Sequence, residues 1–395
     1  MNCTHKALKR CTLLLVFCLS LGCQSEKKPQ NSIHRIEIDP GSNTRPLQLS
    51  SISDSLEYIH LQSGNYSFIG SIAHVEEFNG KYYVHDKDQD AIVIFDRKGK
   101  YIDRVQRIGD GPGEYRKIDF FDLNKKNSSL EIYDVRKGKV FTYDLYGNFV
   151  SSIRVTLICR DFITTPDGDY LFYSPDEYNF FNGTKELGTG LIHVSRNGKE
   201  ANLILPLGDE KFSPILVSSS LVEYQKNTYL FSNYTDTVYQ IKESEVTNKY
   251  FVDYGTQIDE RALLDPNFTF VNADFAFLKL NPLVTENTIS YSFLYKGEDK
   301  TTLIDKTSLK SSLFRGTIND IDSGMFTLNG TMINDSDYVS FFTSEMANAY
   351  QQYYSSIDIS STQPDSSNYR ISQIIDEMKL NNNNPVIIRT KMKAK

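Results

Sequence analysis

The sequence predicts an all-β protein, a six-bladed β-propeller with short helical insertions near the C-terminus. Three observations predict it. Over residues 82–115, YYVHDKDQDAIVIFDRKGKYIDRVQRIGDGPGEY, apolar and polar residues alternate between turn clusters, the period-two pattern of half-buried strands. The pattern then returns 48 residues on, placing Asp86 on Asp134, Asp96 on Asp144, Gly99 on Gly147, and Val84, Ile92 and Ile102 on Ile132, Val140 and Val150. Several short strands recurring every ~40 to 50 residues mark a propeller, whose small sheets bury their faces against one another. Finally, further units of this kind can be followed to the C-terminus.

Residues 1–22 carry His5, Lys6, Lys9 and Arg10 ahead of the apolar run LLLVFCLSLG, which is short for a membrane span and has the form of an export signal. In LSLGCQSEKK the small Gly22 precedes Cys23, as in a lipobox, with Ser20 where leucine is more usual. Lipidation of Cys23 is expected, the alternative being ordinary secretion with a free thiol. Residues 23–48 read as a lipidated tether interrupted by one strand, IHRIEID at 33–39, offered for closure of the ring. Residues 49–395 read as the propeller.

The 82–115 stretch resembles an NHL-type propeller repeat: a strand ending in Asp, an apolar strand ending Phe-Asp, a glycine turn and a GxGPGE loop. With the N-terminal signal and the C-terminal NPVIIRTKMK, the chain resembles the six-bladed β-propeller lipoproteins of Bacteroides-like bacteria. That resemblance implies the fold, a seam closed by strands from both chain ends, and a cell-envelope location at the outer membrane, on its periplasmic face or at the cell surface. It implies no chemistry.

LEYIHL at 56–61 is a strand before the first unit, which spans 68–109. The second spans 115–155 and the third 159–207, with an aromatic loop, PDEYNFFNGTKELGTG, inserted in the third. The fourth spans 214–255. The fifth runs to 314 with an insertion at 257–285 whose DERALLD has helical character. The sixth begins near 318 with a strand-like DSGMFTLNG and YVSFFTS. Helical spacing follows at 344–354 and 369–380, where Ile371, Ile374, Ile375 and Met378 share a face, before a last strand in PVIIRTK.

Composition narrows the function classes. A net charge of -7 argues against a polyanionic partner such as nucleic acid. No second apolar run approaches a membrane span, so the expected membrane contact is the lipid anchor alone. Cys3, Cys11 and Cys18 leave with the signal and Cys23 is acylated, so Cys159 has no internal partner; it reads as a small buried hydrophobe rather than a catalytic thiol. A chain of this length can bury about three quarters of its extended surface without bridges. A monomer is expected.

Linear catalytic motifs are missing. Asp86, Asp88 and Asp90 alternate like the start of a calcium loop, but Ala91 stands where glycine is needed and Arg97 where a bidentate glutamate is needed; a solvated turn is the simpler reading. GDGPGEY at 109–115 opens no helix and reads as a connector between sheets, not a phosphate loop. The histidines show no metal spacing, and neither a metal nor a cofactor is implied.

Propeller sites draw residues from several blades. The candidates are therefore Tyr115, Arg116 and Asp119 from the second unit and Arg160 and Asp161 from the third, with salt bridges between blades as the alternative role. Tyr178, Phe180 and Phe181 are placed to stack on a sugar or to cap a sheet edge. Two functions are carried forward. One is a lipid-anchored envelope scaffold binding a glycan, peptide or partner protein; the other is a propeller-type hydrolase or lyase with its site at the channel mouth. Whether the protein is an enzyme is left open.

Overall fold

The structure, a computed structural model, describes residues 32–207, 221–259, 268–349 and 366–393, apart from 234, 270, 272, 329 and 335. Three strands come first: β1 (Ser32–Glu37), β2 (Leu47–Gln48) and β3 (Ser53–His60). Blade 1 is β4 (Ile72–Phe78), β5 (Lys81–Asp86), β6 (Ala91–Asp96) and β7 (Tyr101–Val105). Blade 2 is β8 (Phe120–Asn124), β9 (Ser129–Asp134), β10 (Lys139–Asp144) and β11 (Phe149–Arg154). Blade 3 is β12 (Asp161–Thr164), β13 (Tyr170–Phe181), β14 (Lys185–Val194) and β15 (Ala201–Pro206). Blade 4 is β16 (Leu221–Tyr224), β17 (Asn227–Phe231), β18 (Thr237–Lys242) and β19 (Glu245–Asp253). Blade 5 is β20 (Phe277–Val284), β21 (Thr288–Tyr295), β22 (Glu298–Asp305) and β23 (Ser311–Phe314). After β24 (Thr317–Ile318), which pairs parallel to β2, blade 6 takes β25 (Thr331–Met332), β26 (Asp337–Phe342) and β27 (Val386–Met392) and borrows β3 as its outer strand.

The repeated turn chemistry explains why these residues form these elements. Asp96 Oδ1 accepts the amides of Lys98 and Lys100, and Asp144 Oδ1 accepts those of Tyr146 and Asn148, the Asx turn that carboxylates favour. In each turn a glycine at positive φ follows, Gly99 at 78° and Gly147 at 80°, a conformation that costs other residues ~1–2 kcal/mol.

Neighbouring blades are welded by apolar clusters. Tyr83, Ile92, Leu130 and Phe141 join blades 1 and 2; Tyr133, Val140, Phe162 and Phe172 join 2 and 3. Leu171 and Leu230 join 3 and 4, and Phe231 and Tyr291 join 4 and 5. A smaller group with Leu283 and Tyr338 joins 5 and 6, and Val84, Phe95, Val339 and Ile387 join 6 and 1. Cys159 lies buried within the cluster between blades 2 and 3.

The ring is closed by β3, antiparallel to β27 from His60↔Val386 to Ser53↔Met392. The closing strand is therefore 53–60 and not the segment at 33–39. That earlier segment is β1, which lies parallel to β19 as a fifth strand of blade 4, because Ile36 and Ile38 enter the cluster between blades 4 and 5. Asn384, fully buried, staples the seam: its Nδ2 donates to the carbonyls of Gln62 and Ser67, and its Oδ1 accepts from Ile69 N.

Other expectations are corrected. DSGMFTLNG at 322–330 is not a strand; Asn319 and Asp322 side chains fold its start into turns, and β25 begins only at Thr331. The aromatic insertion of blade 3 is not a loop but the prolongation of β13 and β14 into a long hairpin. DERALLD lies outside the described residues. Residues 344–349 are helical, and the rest of that segment also lies outside them. Helix α1 (Ser366–Leu380) buries Ile371, Ile374, Ile375 and Met378 against Phe342, Val386 and Ile388 of blade 6, the face its spacing predicts.

Candidate functional site

The inner strands β4, β8, β12, β16, β20 and β25 surround a central cavity of about 450 Å³, within the size range of small-molecule sites. Every blade contributes: His74 and Glu76 from blade 1, Asp122 from blade 2, Asp161 from blade 3, Glu223 from blade 4, Pro282 from blade 5 and Thr331 from blade 6. Phe121 and Phe162, both buried, supply apolar wall beside these charges.

Three of the polar contacts reach between blades. Lys125, just past the end of β8, places Nζ 2.6 Å from Glu223 Oε2 and so spans from blade 2 to blade 4. Asp122 Oδ2 accepts both the amide and the hydroxyl of Thr164 at 2.6 Å, tying blade 2 to blade 3. Asp161 Oδ2 accepts Leu221 N at 2.8 Å, tying blade 3 to blade 4. His74 Nε2 lies 2.8 Å from Glu76 Oε1; the two stand two residues apart on one strand and so share a face. His85 rests edge-on against Phe121, with Nε2 buried and lacking a hydrogen-bond partner.

Crowded buried charge shifts these groups in different directions. Burial and the neighbouring Glu76 carboxylate push Asp122 up to about 7, despite the Thr164 bonds and Lys125. Burial alone would raise Glu76, but the His74 hydrogen bond and charge, with Lys125, bring it below its ordinary value. Burial alone would lower His74, yet Glu76, Asp122 and Asp161 hold it above the usual range. Burial and His74 depress His85 to about 4. Burial raises Glu223 more than Lys125 lowers it. Lys125 is held protonated: burial opposes its charge, and Glu223, Glu76 and Asp122 outweigh that.

Of the residues expected at the site, Asp119, Arg160 and Asp161 line the cavity. Asp119 also accepts Val135 N, and Arg160 forks onto Asp176. Tyr115 does not line it. Its ring fills the wedge between blades 1 and 2, where its hydroxyl bonds the carbonyls of Asp90 and Val105. Nor does Arg116, whose side chain pairs with Asp110 in the exposed connector. Tyr178 and Phe180 stand half exposed on the long hairpin while Phe181 is buried. Asp86 is occupied as a turn cap, accepting the amides of Gly70, Ser71 and Asp88. No three His, Cys, Asp or Glu side chains among the described residues are grouped to hold a metal ion.

Glu76, Asp122, Lys125 and Glu223 were missed, because they are isolated in sequence and meet only across the ring. One signal was available: each lies in or just beyond the first strand of its unit, which in a propeller faces the channel. A charged residue in an otherwise apolar first strand, such as FFDLN or LVEY, marks that face.

One solved structure shares the architecture. An exported protein of Bacteroides fragilis superposes with a TM-score of 0.66 at 15% identity, covering 92% of this chain and 100% of its own. A member of the DUF4221 family from Bacteroides vulgatus gives 0.47 at 11% identity, over 87% of this chain and 97% of its own. A catalytically inactive virginiamycin B lyase of Staphylococcus aureus with quinupristin gives 0.40 at 13%, over 66% and 74%. At 15% identity the likeness to the Bacteroides fragilis protein is one of fold. No curated protein matches the sequence. The family model described as a domain of unknown function, DUF4934, matches residues 33–391, and the chain belongs to that family.

Proposed function

We propose that this protein is a binding protein of the bacterial envelope, anchored at the outer membrane by lipid on Cys23, with the central channel as its ligand site. The observation that carries the binding role is the cavity itself. All six blades wall it, and it brings buried carboxylates, a lysine and histidines together beside aromatic rings. Holding such charges away from water is costly unless they serve a structure or a ligand. Glycans, peptides and small metabolites are the ligand classes in view. The anchor rests on the apolar run at 13–22 and on Gly22-Cys23; a mature N-terminus of unmodified mass would remove it.

Ala73 faces the cavity and is exposed, so Ala73→Trp narrows the channel without entering an inter-blade cluster. On glycan and peptide arrays, and in mass spectra of molecules released from the purified protein, the variant is expected to lose at least about tenfold of the wild-type binding. Retained binding would move the site off the channel.

A second reading, hydrolase or lyase, is favoured by one pair. Asp122, near neutrality, sits beside Glu76, which stays ionised, and environments that push two carboxyls apart suit one as acid and the other as base. Turnover of a glycan or lactone pool that falls about a hundredfold or more in Asp122→Asn would decide for it.

A further inference from the structure

Three carboxylates of the channel each have one oxygen to spare, whereas Asp119 and Asp161 have both engaged. Glu76 uses Oε1 on His74, Asp122 uses Oδ2 on Thr164, and Glu223 uses Oε2 on Lys125. Their second oxygens have no partner among the described residues. His85 Nε2 is also unpartnered, in a side chain only 4% exposed, and a neutral imidazole can accept a hydrogen bond there. Three blades thus present acceptors to one cavity. Against them the same wall offers Lys125, engaged with Glu223, His74, engaged with Glu76, and Arg160, engaged with Asp176.

A cavity rich in open acceptors and poor in free donors calls for a guest that brings donors and positive charge. Water and polyols bring as many acceptors as donors. A primary ammonium brings three donors and no acceptor, and charge-assisted bonds to carboxylates are the strong ones. A metal ion fits less well, since no three candidate ligands among the described residues converge on one point. Phe121 and Phe162 in the same wall suit the apolar stem of an amine. Resting on the reading that the channel is the ligand site, we infer that it binds the ammonium group of a small organic cation, with the open oxygens of Glu76, Asp122 and Glu223 as the acceptors its wall offers.

Protons compete for the same place. Asp122 shares the cavity wall with Glu76, His74 and His85 from blade 1, Asp119 and Lys125 from its own blade, Arg160 and Asp161 from blade 3 and Glu223 from blade 4. Its carboxyl titrates at about 7, so an arriving ammonium displaces a proton below that pH and meets a ready carboxylate above it. Affinity rises with pH from about 6 to 8, while an alkylamine stays protonated.

Calorimetric titration of the whole protein with cadaverine and benzylamine, against their neutral counterparts pentanediol and benzyl alcohol, tests the inference. Both amines are expected to bind at about 10 mM or below, an easily measured range, and the alcohols not. Asp122→Asn and Glu223→Gln, which keep shape, each weaken the amines about tenfold or more, and if one variant does not fold the other carries the test. Alcohols binding as well as amines, with both weakened by these variants, would overturn the ammonium assignment and leave the channel reading standing. Amine binding indifferent to both variants would overturn the two together. Absence of heat from either amine, or loss of amine binding to equimolar calcium, would overturn the ammonium assignment alone, with the Ala73→Trp comparison deciding the channel.

Discussion

At the scale of single residues, one carboxylate in each of the first two blades does much of the local work. Asp86 accepts Gly70 N, Ser71 N and Asp88 N. Its repeat-mate Asp134 accepts Arg116 N, Lys117 N and Lys137 N. Each pins the approach to its blade's inner strand onto the end of the second strand. Both are fully buried, so removing the acceptor strands several amides away from water. Asp86→Ala is expected to cost about 2–4 kcal/mol in urea unfolding, against about 1 kcal/mol for Asp96→Ala, whose turn is open to solvent and can recruit water. Equal losses would show that the turn caps are interchangeable and that burial contributes nothing.

At the scale of elements, the closure of the ring depends on how tightly the turn of blade 1 meets the end of β3. Gln62 N donates to Gly99 O at 2.7 Å, and a Cβ on Gly99 would lie 2.3 Å from His60 O. Gly80 has a similar φ, 73° against 78°, but a Cβ there meets nothing within 4 Å. The pair separates backbone strain from steric conflict. Gly80→Ala is expected to cost about 1 kcal/mol, the strain alone, and Gly99→Ala about 3 kcal/mol or more, with limited proteolysis opening first at the 53–60 strand. If the two midpoints shift alike, the seam tolerates displacement of β3.

For the whole molecule, the channel is a store of unfavourable charge that only the closed ring assembles. Asp122 is raised to about 7 in the folded protein from an ordinary value near 3.9, so between those pH values the native state holds the extra proton. Stability contributed by this group therefore falls as pH rises from about 4 to 7 and stays low above. Asp122→Asn is expected to be the more stable protein at pH 8, by about 2–4 kcal/mol, with the gap closing toward pH 4. A variant less stable than wild type at pH 8 would mean that the ionised carboxylate is better satisfied than its neighbours imply.

Local rules made much of this protein legible from its residues alone. Alternation in 82–115 and its return at Asp134, Asp144 and Gly147 set the blade and its turns, because strand periodicity and turn chemistry act over a few residues; the count of six came from the later units and the family resemblance. The face of α1 was legible for the same reason. Which strand closes the ring was not: 33–39 and 53–60 have equal strand character, and the choice lies in where Ile36 and Ile59 find a cavity between blades. The cavity lining was legible only in part. Asp119, Arg160 and Asp161 could be placed by their position before an inner strand, but Glu76, Asp122, Lys125 and Glu223 acquire their shared chemistry from ring closure, which brings side chains 98 residues apart to 2.6 Å and which no short-range pattern encodes.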